Sequence, residues 1–239
     1  MSRNYWFIQA RKTGGEWFEL QCPEGRYYAD PFLAKKDGKY YLYFEDYDYQ
    51  KGKLSFCEIT DFKIGEKKTA LELDVHCSFP SVIEFDGKYY MTPETVLAGE
   101  LSIYEGWGEH WEKICEVARG RFDDPILFRR QNTYYIYTNE GGTMTVFSAP
   151  AITGPWSKIK AEDKPIHRSA GHIYFNGQRY LRPLQDCREL YGKSISVVEL
   201  DSGIEQFTLL PDWKDGLIGT HTLNFLDEYE VVDGKIVKN

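Results

Sequence analysis

Short apolar runs, tight polar corners and aromatic-rich runs follow one another in a fixed order along most of this chain. The order recurs in "ADPFLAKKDGKYYLYFE" (29–45), "FPSVIEFDGKYYMTPE" (79–94), "DDPILFRRQNTYYIYTN" (123–139) and "SAGHIYFNGQRYLRPL" (169–184). Alternation with a period of two, broken by residues that tolerate positive φ, predicts β-hairpins. The corners Asp-Gly, Asp-Gly, Gln-Asn and Asn-Gly suit two-residue turns. From Pro31 to Gly38, Pro80 to Gly87, Pro125 to Asn132 and Ala170 to Gly177 the offset is always seven residues, and copies starting at 30, 79, 124 and 169 are spaced by 49, 45 and 45.

After each hairpin comes a third strand candidate, "KLSFCEI", "ELSIYEG", "TMTVFSAP" and "SISVVEL", and a less regular fourth can follow. Three to four strands at a period near 45 residues is the pattern of propeller blades. A β-sandwich has no reason to repeat one hairpin at a fixed offset. "GTHTLNFLDEYEVVDGKIV" is a weaker fifth copy without room for a whole blade, and "NYWFIQAR" is a strand with no copy of its own. The expected fold is therefore all-β: a five-bladed propeller of antiparallel blades over 1–239 as a single domain, with the N-terminal strand completing the last blade. Helical periodicity is nearly absent.

Composition agrees, since the aromatic fraction of 16% favours strands. The formal net charge of −8 argues against nucleic acid and anionic membrane as partners. No run of 18 apolar residues marks a membrane span, and no secretory signal is apparent. The five cysteines form no C-x-x-C pair and read as free thiols. A soluble, cytoplasmic protein is expected. Phosphate loops, nucleophile elbows and H-E-x-x-H are all missing.

In a propeller the inner strands line an axial channel, so repeated positions converge there. The residue before the Pro-equivalent position is Asp30, Phe79, Asp124 or Ser169, and the second strands end at or near Glu45, Glu94, Glu140 and Asp186. Asp30 and Asp124 thus offer paired carboxylates, the equipment of glycosidic chemistry. Arg182 could fork to a ligand carboxylate or phosphate, or the Asp186 region could form its own ion pairs with Arg188. His172 and His221 fall near the starts of blades four and five. Tyr27, Tyr28, Phe32, Phe79, Phe122 and Trp107 are candidates for stacking on sugar faces, whereas the Tyr-Tyr pairs of the second strands are expected to pack between blades.

Taken together, "ADPFL", "DGKYYLYFED", "FPSVIEFDGKYYMTPET", "DDPILF", "GPWSKI", "RPLQDCRELYGKSISVVEL" and "GTHTLN" resemble the N-terminal propeller of plant glucosamine inositolphosphorylceramide transferases and bacterial homologues. That family in turn resembles the superfamily of glycoside hydrolase families 43, 32 and 68. The resemblance implies that Asp30 is a general base and Asp124 a residue that orients it and modulates the acid. It places the general acid in blade four, where "RSAGH" has no Glu; Glu94 is the first substitute, followed by Asp186 and Glu45. Glu45, Phe79, Arg182, Asp186, His172 and His221 become substrate-binding candidates. No cofactor is required, although the resemblance allows an axial Ca2+ near His221. The activity expected is glycosidase-like, on a carbohydrate or glycolipid ligand; the alternatives are an accessory module in glycan or glycolipid synthesis, partnered with a glycosyltransferase domain, and a sugar-binding propeller without catalysis.

Overall fold

A computed structural model describes residues 3–60, 63–162 and 168–238. Five antiparallel sheets are arranged as propeller blades, and among the described residues the sole helical element is the 3-10 turn Val96–Ala98. Blade one consists of Tyr27–Lys36, Lys39–Tyr47 and Gly52–Thr60, edged by Lys63–Ile64 and Lys68–Leu71. Blade two runs Ser78–Phe85, Lys88–Glu94, Glu100–Trp107 and His110–Arg119, and blade three Phe122–Arg130, Thr133–Glu140, Thr143–Ala149 and Ser157–Glu162. The predicted third strands are all present. Blade five is made from both parts of the chain: Leu223–Leu226 and Tyr229–Lys238 pair with Arg3–Lys12, which pairs with Phe18–Glu19. The N-terminal strand therefore completes the last blade, as its unpartnered apolar pattern predicts.

Inner strands are flanked by neighbouring blades on both faces, and Tyr28 to Ala34 of blade one is buried without alternation. The outer strand His110–Arg119 has no fully buried residue, because only its inward edge is covered. Between the blades lie the aromatic pairs. Tyr40 packs on Tyr229 of blade five at 4.5 Å, and its neighbour Tyr41 packs on Trp107 of blade two at 4.9 Å. Successive residues of a strand face opposite ways, so one Tyr-Tyr pair fills two seams.

Blade four departs from the repeat. Its inner strand is split into Arg168–Ser169 and Tyr174–Phe175, both paired with Tyr180–Asp186, followed by Ser194–Glu199 and Glu205–Leu209. The break passes Gly171, where a Cβ would lie 2.0 Å from the Leu223 carbonyl oxygen. The turn also sits one residue later than the offset predicts. Asn176 donates its N–H to the Arg179 carbonyl at 3.2 Å, so Gly177 and Gln178 take the corner in place of Asn176 and Gly177.

Candidate functional site

In blades one, two and three the inner strand carries a bulge before its proline. Register slips between Ala29 and Phe32, Ser78 and Ser81, and Asp123 and Ile126. Asp30, Phe79 and Asp124 there have φ of 53°, 49° and 47°. Left-handed backbone is unusual for non-glycine residues, above all for a bulky Phe, and persists where its surroundings over-determine it. The surroundings are carboxylates of the preceding blade. Asp30 donates its N–H to Asp233 Oδ2 (3.3 Å), Phe79 to Asp30 Oδ2 (3.1 Å) and Asp124 to Glu94 Oε2 (2.8 Å). Each acidic group thus stitches one blade to the next while standing at the axis.

These groups surround a cavity of about 200 Å3 lined by Asp30, Glu45, Glu94, Asp124, Arg168 and His221, with Trp6, Tyr27, Tyr47, His76, Ser78 and Tyr191 completing its wall. A larger hollow of about 680 Å3 lies beside Tyr41 and Trp107 in the outer part of the blades, where the carboxylates Glu58, Glu66 and Glu109 are not buried.

Burial is the largest influence on Asp30, raising its pKa to about 6; Asp233 and Asp124 add to the rise and His221 opposes it. Burial, then the nearby Asp30 and Glu94, lifts Glu45 well above the usual carboxylate range. Glu94 is also lifted well above it by burial and by Asp124, against the pull of Arg168. Arg168 reaches Asp124 Oδ2 through Nε at 2.5 Å and Glu94 Oε2 at 3.4 Å. Burial works against its charge, yet Asp124, Tyr191 and Glu94 hold its pKa above the ordinary value. Gln185 adds a second donor to Asp124 Oδ2 at 2.9 Å.

Beneath the pocket, His221 Nδ1 lies 2.5 Å from Asp233 Oδ2 and Nε2 lies 3.4 Å from Asp30 Oδ1, with the ring stacked on Trp6 at 4.0 Å. Burial disfavours the imidazolium, but Asp233 and Asp30 outweigh it and the pKa is raised. Asp30, His221 and Asp233 bring three ligand-type atoms within 4.8 Å of one another. Calcium asks for roughly six to eight oxygens. Here one donor is a nitrogen, and Asp233 Oδ1 already accepts the N–H groups of His221 (2.8 Å) and Thr222 (3.0 Å). The trio does not fit a calcium cage.

The repeat therefore brings Asp30, Asp124, Glu94, Glu45 and His221 together. Others fall elsewhere. Asp186 pairs with Arg188 at 2.8 Å and is not on the pocket wall. Arg182 is buried between blades three and four, against Met144, Ser169 and the Tyr137 ring. His172 packs on Phe32 at 4.9 Å, and burial alone lowers its pKa to about 4. Phe79 contributes its N–H, its side chain lying in the core with Phe32. Of the stacking candidates Tyr27 lines the pocket, whereas Tyr28, Phe32, Phe79 and Phe122 are core residues and Trp107 lines the distant hollow. Arg168, Asp233 and His76 are additions. Arg168 had a signal, since it immediately precedes the blade-four copy. Asp233 had a misleading one: "VVDGKIV" reads as a turn, but it lies within the strand Tyr229–Lys238.

A family model described as "Glucosamine inositolphosphorylceramide transferase 1, N-terminal" matches residues 19–207. Glucosamine inositolphosphorylceramide transferase 1 of Arabidopsis thaliana is 24% identical over 233 residues, covering 84% of this chain and 30% of the relative. The protein of that name from Oryza sativa subsp. japonica is 24% identical over 196 residues, covering 72% and 26%. The chain thus spans less than a third of the length of these relatives. Among solved structures, an alpha-L-arabinofuranosidase from Podospora anserina superposes with a TM-score of 0.64 at 9% identity, covering 89% of this chain and 91% of that one. An exo-beta-1,3-galactanase from Phanerochaete chrysosporium gives 0.56 at 14% identity, covering 77% and 49%. At such identities the likeness is one of fold. Among the described residues no helix is long and apolar enough to cross a membrane.

Proposed function

The chain belongs to the family of glucosamine inositolphosphorylceramide transferase 1 N-terminal domains, and from that premise we propose that its axial pocket is a glycosidase-type site acting on the terminal sugar of a glycan or glycolipid. The observation that carries this is the convergence of Asp30, Glu45, Glu94 and Asp124 on one small cavity walled by Trp6, Tyr27 and Tyr191. Carboxyls of opposite role are what glycosidic cleavage needs, and aromatic walls suit the apolar faces of sugars. Asp30 acts as the base that takes a proton from water. Asp124, fixed by Arg168 and Gln185, orients the reacting groups.

The test is hydrolysis of aryl α-L-arabinofuranoside, β-D-galactoside and β-D-glucosaminide by the wild type, Asp30→Asn and Asp124→Asn. Asn preserves one acceptor oxygen, so Asp30→Asn should leave thermal unfolding little changed, whereas Asp124→Asn also removes the charge that Arg168 meets and should unfold more easily. In both, turnover of the folded protein should fall by about 10²–10⁴-fold. Full activity in both variants would overturn the proposal. Arg168, standing where the resemblance expects an acid, favours a second reading: the pocket holds a sugar for transfer by a glycosyltransferase partner. Saturable sugar binding lost in Asp30→Asn without release of product, or transfer to an added acceptor instead of water, would support it.

A further inference from the structure

We propose that Glu45 is the proton donor of this pocket and that His76 is the residue that positions it; this rests on the glycosidase-type reading above. The group before blade four, Arg168, is a permanent cation and cannot supply a proton. The four pocket carboxyls differ in how their oxygens are engaged. Asp30 accepts from the Phe79 N–H at Oδ2 and from Thr222 Oγ1 at Oδ1, both at 3.1 Å. Glu94 accepts from Ser78 Oγ at Oε1 (3.3 Å) and from the Asp124 N–H at Oε2 (2.8 Å). Asp124 is held by Arg168 and Gln185. Donors on a carboxylate favour its ionised form.

Glu45 is different. Among the described residues its side chain accepts no hydrogen bond, and the His76 ring stands beside it, with Nε2 3.2 Å from Oε1. The Gly52 N–H donates to His76 Nδ1 at 2.9 Å, so Nδ1 has no proton and the neutral ring carries it on Nε2, beside Oε1. Among the described residues no hydrogen-bond donor meets Oε2. A proton on Glu45 therefore belongs on Oε2, in a side chain that lines the cavity. Gly52 makes the arrangement possible: a Cβ there would lie 2.7 Å from both Glu45 Oε1 and His76 Cε1.

Electrostatics agree. Burial and the surrounding Asp30, Glu94, Asp233 and Asp46 favour the protonated carboxyl, and burial keeps His76 neutral. Tyr27 and Cys77, both pushed upward by burial, also face this group as neutral side chains, while His221 and Arg168 line the same cavity. In the reaction, the glycosidic oxygen takes the proton of Oε2 as the bond to the anomeric carbon breaks and its electron pair passes to that oxygen. Water adds to the carbon and yields its proton to Asp30. Exchange with solvent restores both carboxyls.

Two measurements on the intact protein test this. Infrared difference spectroscopy near neutral pH should show a protonated carboxyl band that disappears in Glu45→Gln, persists shifted in Glu45→Asp and persists in Glu94→Gln, titrating there at lower pH because one neighbouring negative charge is gone. His76→Phe removes the Nε2–H dipole that stands beside Oε1 and should move the titration of that band to higher pH. The band needs no substrate, so its loss in Glu94→Gln instead, or its persistence in Glu45→Gln, overturns the assignment whether or not the pocket cleaves sugars. If any of the three aryl glycosides is cleaved, Glu45→Gln should lose about 10²–10⁴-fold on phenyl leaving groups, and far less on 2,4-dinitrophenyl ones, which depart without a proton. Equal loss on both would also overturn it. Failure of every glycoside with the band behaving as expected would sink the glycosidase-type reading and leave Glu45 as the pocket's protonated carboxyl.

Discussion

Gly52 shows how much of the site depends on what a residue lacks. Its N–H holds His76, its carbonyl accepts the Cys77 N–H at 3.0 Å, and its bare Cα leaves room for Glu45. Gly52→Ala should force these groups apart and cost about 1–3 kcal/mol, as overpacking of a close contact does; denaturant unfolding measures this, and an unchanged midpoint would show that the loop yields freely. Repeat arithmetic made Asp30, Asp124, Glu45, Glu94 and His221 legible, because each occupies a copy start or a second-strand end. His76 and Gly52 lie between copies, where no comparison with another blade is available. Asp233 was hidden because Asp-Gly is the strongest short turn signal, and here pairing with Ile8 across the sheet overrides it.

At the scale of elements, three corners obey the predicted offset because the hairpins joined by them are regular. Blade four breaks it because its inner strand is interrupted where Gly171 passes Leu223, so counting from Ala170 no longer counts along a continuous ladder. Closure by the N-terminal strand was legible since an apolar run with no hairpin partner of its own must find one elsewhere. Ile8, fully buried on that strand among Leu33, Leu42, Tyr229 and Val231, fastens blade five to blade one. Ile8→Ala should cost about 2–5 kcal/mol in equilibrium unfolding. A loss below ~1 kcal/mol would mean that the seam repacks around the gap.

For the whole molecule, the buried axis gives stability an unusual dependence on pH. Asp30 is raised from 3.8 to about 6, and Glu45 and Glu94 are raised above 4.5, so the folded state holds these protons more tightly than the unfolded chain does. That contribution is complete below the ordinary values and disappears as pH rises through the folded ones. His221, also raised, acts in the same sense: its contribution is present below 6.5 and lost above its folded value. Carboxylates held down by Arg or Lys partners, such as Asp86, Asp201 and Asp227, work oppositely, losing their contribution as pH falls below 3.8 toward their folded values. Thermal unfolding from about pH 4 to 9 should therefore peak on the mildly acidic side and decline toward pH 8, with a shallower decline in Asp30→Asn. A Tm that climbs steadily to pH 8 would contradict this. Closure of the ring has a further consequence for reach. Arg3 pairs with Lys238, and Trp6, three residues on, forms part of the cavity wall, so both paths of the chain leave within roughly 10 Å of backbone from the pocket. Any polypeptide joined before Arg3 or after Lys238 is tethered close to that pocket, and its local concentration there is set by the length of its linker instead of by diffusion.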